Sequence, residues 1–74
     1  MIPPNAGERI RATRLRLGIV AVLFCQRVSR RLQASGQQGW FTQADRKDVE
    51  KGRRPPTDPE WRAICAVMPE VQNG

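Results

Sequence analysis

Apolar residues recur along this chain at helical spacing, and nowhere with the alternation of a strand. Between Gly7 and Leu17, the positions Ile10, Thr13, Arg14 and Leu17 fall on one face of a first helix. That face holds an arginine, and a guanidinium turned inward needs an acidic partner to offset its lost hydration. Arg9, Arg11 and Arg16 fall elsewhere and are expected to face solvent. Asn5 is placed to cap this helix with Glu8 as its box partner, and Gly18 to end it in a left-handed conformation. A second helix is predicted from Ile19 to about Ser35, with Ala21, Phe24, Cys25, Val28 and Leu32 as its core stripe. Val20 and Leu23 project from its other side. Such a back face on a small domain suits a dimer seam or a protein partner, or is covered by the Pro-rich arm or the loop that follows.

Ser35 to Gly39 is a loop, followed by Trp40 and Phe41, whose expected role is to anchor core or loop, with stacking on bases the weaker alternative. Thr42 then caps a short polar third helix whose one large aliphatic residue is Val49, and Gly52 stops it. Arg53, Arg54, Pro55 and Pro56 form an extended basic connection. Thr57-Asp58-Pro59-Glu60 is a strong helix start, with a capping hydroxyl and an acid at the box position. Trp61, Ile64, Cys65 and Met68 carry the apolar stripe of that fourth helix, and Pro69 closes it. The expected class is all-α with four helices. Residues 1–74 form one domain, with an irregular arm over 1–6 and a polar tail over 69–74.

At 74 residues the core is small, and dimerisation would add to it. Hydrophobic residues make up 39% of the chain, too many for a disordered tail. The net charge of +6 is uneven: residues 1–35 hold seven Arg against the single acid Glu8, while residues 36–74 balance six Lys or Arg with six acids. The positive field therefore belongs to the first half, and favours anionic partners, nucleic acid before membrane surface. With no His and two Cys, a zinc site lacks ligands, and no cofactor is expected. Cys25 and Cys65 read as free buried thiols, which suits a cytoplasmic protein. The run Ile19 to Cys25 is too short to span a bilayer, and the leading residues do not form a signal peptide. An enzyme is not expected: no nucleophile stands beside a base and no Gly-rich phosphate loop follows a strand.

The order of motifs resembles the phage repressor and Cro-type helix-turn-helix family. RATRLRLG places Arg14 four residues before Gly18, and VEKGRRPP places Glu50 at the end of the third helix. In that family the two positions form an ion pair, which would answer the inward Arg14. IVAVLFCQRVS is similar to the family's second helix, with Phe24, Cys25 and Val28 at its core positions, and DPEWRAICAVM to the helix that closes the core. The chain departs from the pattern in three places. Residues 29–41 include an insertion where the family has a short turn, so that either the second helix or the loop is lengthened. Ala21 stands where a phosphate-binding polar residue is common, and Arg46 where a core aliphatic is.

The resemblance implies a dimeric regulator that reads double-stranded DNA with the helix 42–51 in the major groove. Thr42, Gln43 and Ala44 would face base edges, Gln43 bonding adenine with both ends of its amide and Ala44 meeting a thymine methyl. Arg46, Lys47, Lys51, Arg53 and Arg54 would join the contact surface, with Arg30 and Arg31 from the second helix. Asp45 and Asp48 oppose this, and are tolerable only if they point away or pair with Arg46 and Lys47. The alternative is a protein-binding inhibitor or adaptor, anti-CRISPR proteins being one kind, on the same scaffold through Val20 and Leu23.

Overall fold

The computed structural model describes residues 1–73, and they form an all-α structure with no strand among them. The helices are α1 (Ala6–Arg16), α2 (Ala21–Ala34), α3 (Gln43–Glu50) and α4 (Asp58–Val67), followed by a 3-10 turn over Pro69–Asn73. α4 packs chiefly on α2, and α1 on α3, around one shared core. Phe24, Phe41, Ile10, Ile64, Met68, Val28, Val49 and Val71 fill it, with Phe24 meeting Phe41 edge to face at 6.1 Å between ring centres.

Local capping chemistry explains four of the helix ends. Thr42 and Thr57 each accept a hydrogen bond from the backbone of the third helical residue, Asp45 and Glu60, whose carboxylates bind back to the capping backbone. Gly18 and Gly52 follow α1 and α3 at φ 71° and 76°, conformations that a side chain resists. Gly7 is required for a different reason. A Cβ there would stand 2.1 Å from the Val49 carbonyl oxygen, so the start of α1 lies directly on the backbone of α3.

The N-terminus of α1 differs from expectation. Asn5 has φ −99° and ψ 29°, not the extended backbone of a capping residue, and its side chain makes no cap bond. The Pro3-Pro4-Asn5 turn supplies the start instead, through the Ala6 N–H donating to the Pro3 carbonyl at 3.1 Å. The tail differs too. Val71 is fully buried, because the 3-10 turn after Pro69 folds the chain back onto the core; Gly74 lies outside the described residues. Arg9, expected in solvent, is half-buried, and its Nε is buried without a hydrogen-bond partner.

Between α2 and α3 the chain has both a long helix end and a loop. α2 continues to Ala34 and a loop returns the chain to Thr42. Its base is closed by Ser29, a buried residue that the hydrophobic pattern did not single out. The Phe41 N–H donates to Ser29 Oγ at 2.9 Å, and the same hydroxyl donates to the Phe41 carbonyl at 3.4 Å. Trp40 and Phe41 therefore part company: Phe41 enters the core at 2% exposure, while Trp40 stands outside it at 67%.

Candidate nucleic-acid interface

The end of α3 is fastened to α1 by the Glu50 carboxylate and the Arg14 guanidinium, and Arg46 of α3 itself shares that carboxylate. Glu50 Oε2 accepts from Arg14 Nε at 3.0 Å, and Oε1 from Arg14 Nη2 at 3.2 Å. Oε1 also accepts from Arg46 Nη1 at 2.9 Å. Arg14 completes its bonding by donating from Nη1 to the Ile19 carbonyl at 3.3 Å. Buried ionised groups of this kind persist only when paired and hydrogen-bonded, which the bidentate fork of Arg14 provides. The neighbouring Cys25 thiol is raised above its ordinary value, first by burial, while Arg46 pulls it partly back.

Arg46, expected against DNA, is thus turned inward, with only 12% of its side chain exposed. The reason is geometric: one turn before Glu50 on the same helix, it meets a carboxylate whose lone pairs Arg14 does not exhaust. Its Nε donates to Gln43 Oε1 at 3.2 Å, so Gln43 keeps its amide donors free and its oxygen engaged. Bidentate recognition of adenine needs both ends, and Gln43 in this state offers the donor end.

Arg54, also expected on phosphate, is committed within the fold. Its guanidinium donates to Glu60 Oε1 at 2.8 Å and Oε2 at 3.0 Å, and to Asp45 Oδ1 at 3.4 Å. It therefore ties together the box acids of α3 and α4, because the connection carrying it passes between the two helix starts. Its pKa is raised, chiefly by the Glu60 hydrogen bonds. The Asp45 carboxyl is held below its ordinary value, first by the Thr42 backbone N–H. The Thr42 hydroxyl is engaged in the same box.

Glu50 thus has the partner expected of it in Arg14, whereas Asp45 and Asp48 are paired with neither Arg46 nor Lys47. Asp45 binds Arg54, and Asp48 binds Arg53 at 3.3 Å on the surface. Lys47 and, at the C-cap of α3, Lys51 make no ion pair among the described residues, and both are exposed, as is Ala44. On α2, Arg27, Arg30 and Arg31 are exposed and unpaired among the described residues. Val20 and Leu23 are exposed at 64% and 37%, and Val22 beside them at 55%. The arm and the loop leave this face uncovered.

Both cysteines are free, Cys25 buried and Cys65 half-buried. No helix among the described residues is long and apolar enough to cross a membrane. In comparisons with protein-family models, curated proteins and solved structures, nothing matches the chain.

Proposed function

We propose that the protein is a sequence-specific DNA-binding regulator of phage or plasmid repressor type, dimeric and cytoplasmic, with the exposed side of α3 laid in the major groove. The observation that carries this is the division of charge on α3. Asp45 and Asp48 are neutralised by Arg54 and Arg53, and Lys47 and Lys51 are the charges left over beside Ala44. A polar helix whose acids are cancelled and whose lysines face outward meets phosphate without repulsion. The bases would be met by Ala44 and by the donor end of Gln43. Lys47, Lys51, Arg30 and Arg31 would hold phosphates. Arg46, Arg54 and Glu50 would set the angle of the reading helix rather than touch DNA.

The test is enrichment from a random-sequence duplex pool at moderate salt. The expected result is a shared two-fold repeat, since dimers of this kind read symmetric half-sites. A pool that binds without enriching any sequence would overturn the proposal.

The exposed Val20, Val22 and Leu23 favour a second reading, a protein-binding inhibitor or adaptor. It would be preferred if the chain failed to bind duplex DNA at low salt yet formed a stable complex with a protein partner that Val20→Glu abolished.

A further inference from the structure

Of the two tryptophans, Trp61 is 8% exposed and closes the core, whereas Trp40 is 67% exposed. Phe41 fills the apolar position beside it, so Trp40 is not needed for packing. It borders an open concavity of about 300 Å³, lined also by Val22, Cys25 and Phe41, with Gln26 and Gln43 at its edges. No acid lines this hollow.

The polar groups around it differ in what they have left to give. The Ser29 hydroxyl is taken up by Phe41, and that of Thr42 by its capping box. Gln43 has its oxygen on Arg46 and its amide nitrogen free. Gln26 is exposed and makes no hydrogen bond among the described residues. One turn beyond Gln26 on α2 stands Arg30, and one turn beyond Gln43 on α3 stands Lys47. Both are exposed, and neither is in an ion pair among the described residues.

An exposed indole beside an apolar hollow lined by two amides, with an exposed cation one helical turn beyond each amide, complements a nucleotide part by part. The base offers a π-face and a hydrogen-bonding edge, and the strand carries a phosphate on each side of it. An apolar protein partner would leave the flanking cations and amides without function. We propose that this concavity binds one unpaired base of single-stranded DNA, stacked on Trp40, with its edge on the Gln43 and Gln26 amides and its flanking phosphates on Arg30 and Lys47. This goes beyond duplex recognition, because a base inside a double helix presents no free face.

The experiment uses the full chain carrying Trp61→Phe, so that Trp40 is the only tryptophan, titrated with a short oligothymidylate. Emission reports stacking, and anisotropy of a labelled strand reports affinity. Saturable quenching is expected, with Trp40→Ala weakening binding about tenfold and Trp40→Phe recovering most of it. An abasic strand of equal length should bind wild type and Trp40→Ala alike. Should Trp61→Phe lose its helical circular dichroism, quenching is read in wild type against Trp40→Ala, whose emission comes from Trp61 alone. Strand binding without quenching and indifferent to Trp40→Ala, or no strand binding at low salt, would overturn the proposal. A duplex titrated in parallel separates the two activities: duplex binding with single-strand binding absent sinks this inference alone, and the reverse sinks the major-groove reading alone.

Discussion

Ser29 and Phe41 stand twelve positions apart, yet one hydroxyl serves both the backbone N–H and the backbone carbonyl of Phe41. The residues between them form an excursion closed at its base, so α3 is delivered to its place as though the turn were short. Ser29→Ala leaves both backbone groups buried without that partner, a loss of about 1–3 kcal/mol. For a chain of this size each kcal/mol lowers Tm by roughly 4–8 °C. Calorimetry should record that drop, and limited proteolysis should cut faster between Gly36 and Trp40. A wild-type Tm with unchanged proteolysis would show that the excursion is closed elsewhere.

Glu50 serves two arginines, and this makes the members of the cluster unequal. Arg14→Ala leaves Arg46 to neutralise the carboxylate. Glu50→Ala strands two guanidinium groups whose side chains are 10% and 12% exposed. Removing one partner of a buried pair costs about 3–5 kcal/mol, a large part of the stability of a small domain. Glu50→Ala is therefore expected to lose its cooperative thermal transition by circular dichroism, while Arg14→Ala melts earlier but still cooperatively. Equal effects would mean that Arg46 carries none of the load.

The Asp45 carboxyl has a folded-state pKa below its ordinary value of 3.8. A depressed acid adds stability that is fully present above the ordinary value and is lost as pH falls through the folded one. Asp45→Asn removes that contribution. The stability gap between wild type and variant, from urea unfolding, should stay constant near neutral pH and close at acid pH. A gap that persists below the folded pKa would place the effect in the hydrogen bonding of the amide rather than in charge.

Most features set by near neighbours in the chain were legible from residue types alone; the Asn5 cap was not, because the Pro3-Pro4-Asn5 turn starts α1 instead. The Thr42 and Thr57 caps, the Gly18 stop and the α2 stripe from Phe24 to Leu32 each depend on residues about a turn apart, and each lies where the spacing predicts, while Ala21 at the head of that stripe is only half-buried. Features set by topology were not. Asp45 and Asp48 had nearer basic neighbours in Arg46 and Lys47, but the connection after Gly52 brings Arg54 and Arg53 to them. Val71 looked like part of a polar tail because one aliphatic residue has no periodicity to reveal a buried face. Trp40 and Phe41 are adjacent and both apolar, and only the Ser29 bonds decide which of them turns inward. For Arg14 the sequence pattern demanded an acid, but choosing Glu50 took the family resemblance.

The exposed face at Val20, Val22 and Leu23 suits a second copy of the chain under the dimer reading. Leu23→Glu places a charge in that contact, and burying it unpaired would be far more costly than leaving it in water. Light scattering should then record the monomer mass for the variant and twice that for wild type, with the circular dichroism of both unchanged. A variant with the wild-type mass would reject this placement of the seam.

The division between paired and unpaired cations predicts different consequences for substitutions that look alike. Each neutralised phosphate contributes close to one unit to the slope of log affinity against log salt. Lys47→Ala and Lys51→Ala should each reduce that slope by about one and weaken binding on every duplex sequence. Arg54→Ala removes an equal formal charge, but a charge already held by Glu60 and Asp45. It should lower Tm while leaving the salt slope close to wild type, provided binding is measured well below the melting temperature. Anisotropy titrations across a series of salt concentrations separate the cases. An Arg54→Ala slope reduced as far as that of Lys47→Ala would mean that the guanidinium leaves its carboxylates when DNA arrives, and that the bridge between the helix starts is a resting arrangement rather than part of the bound one.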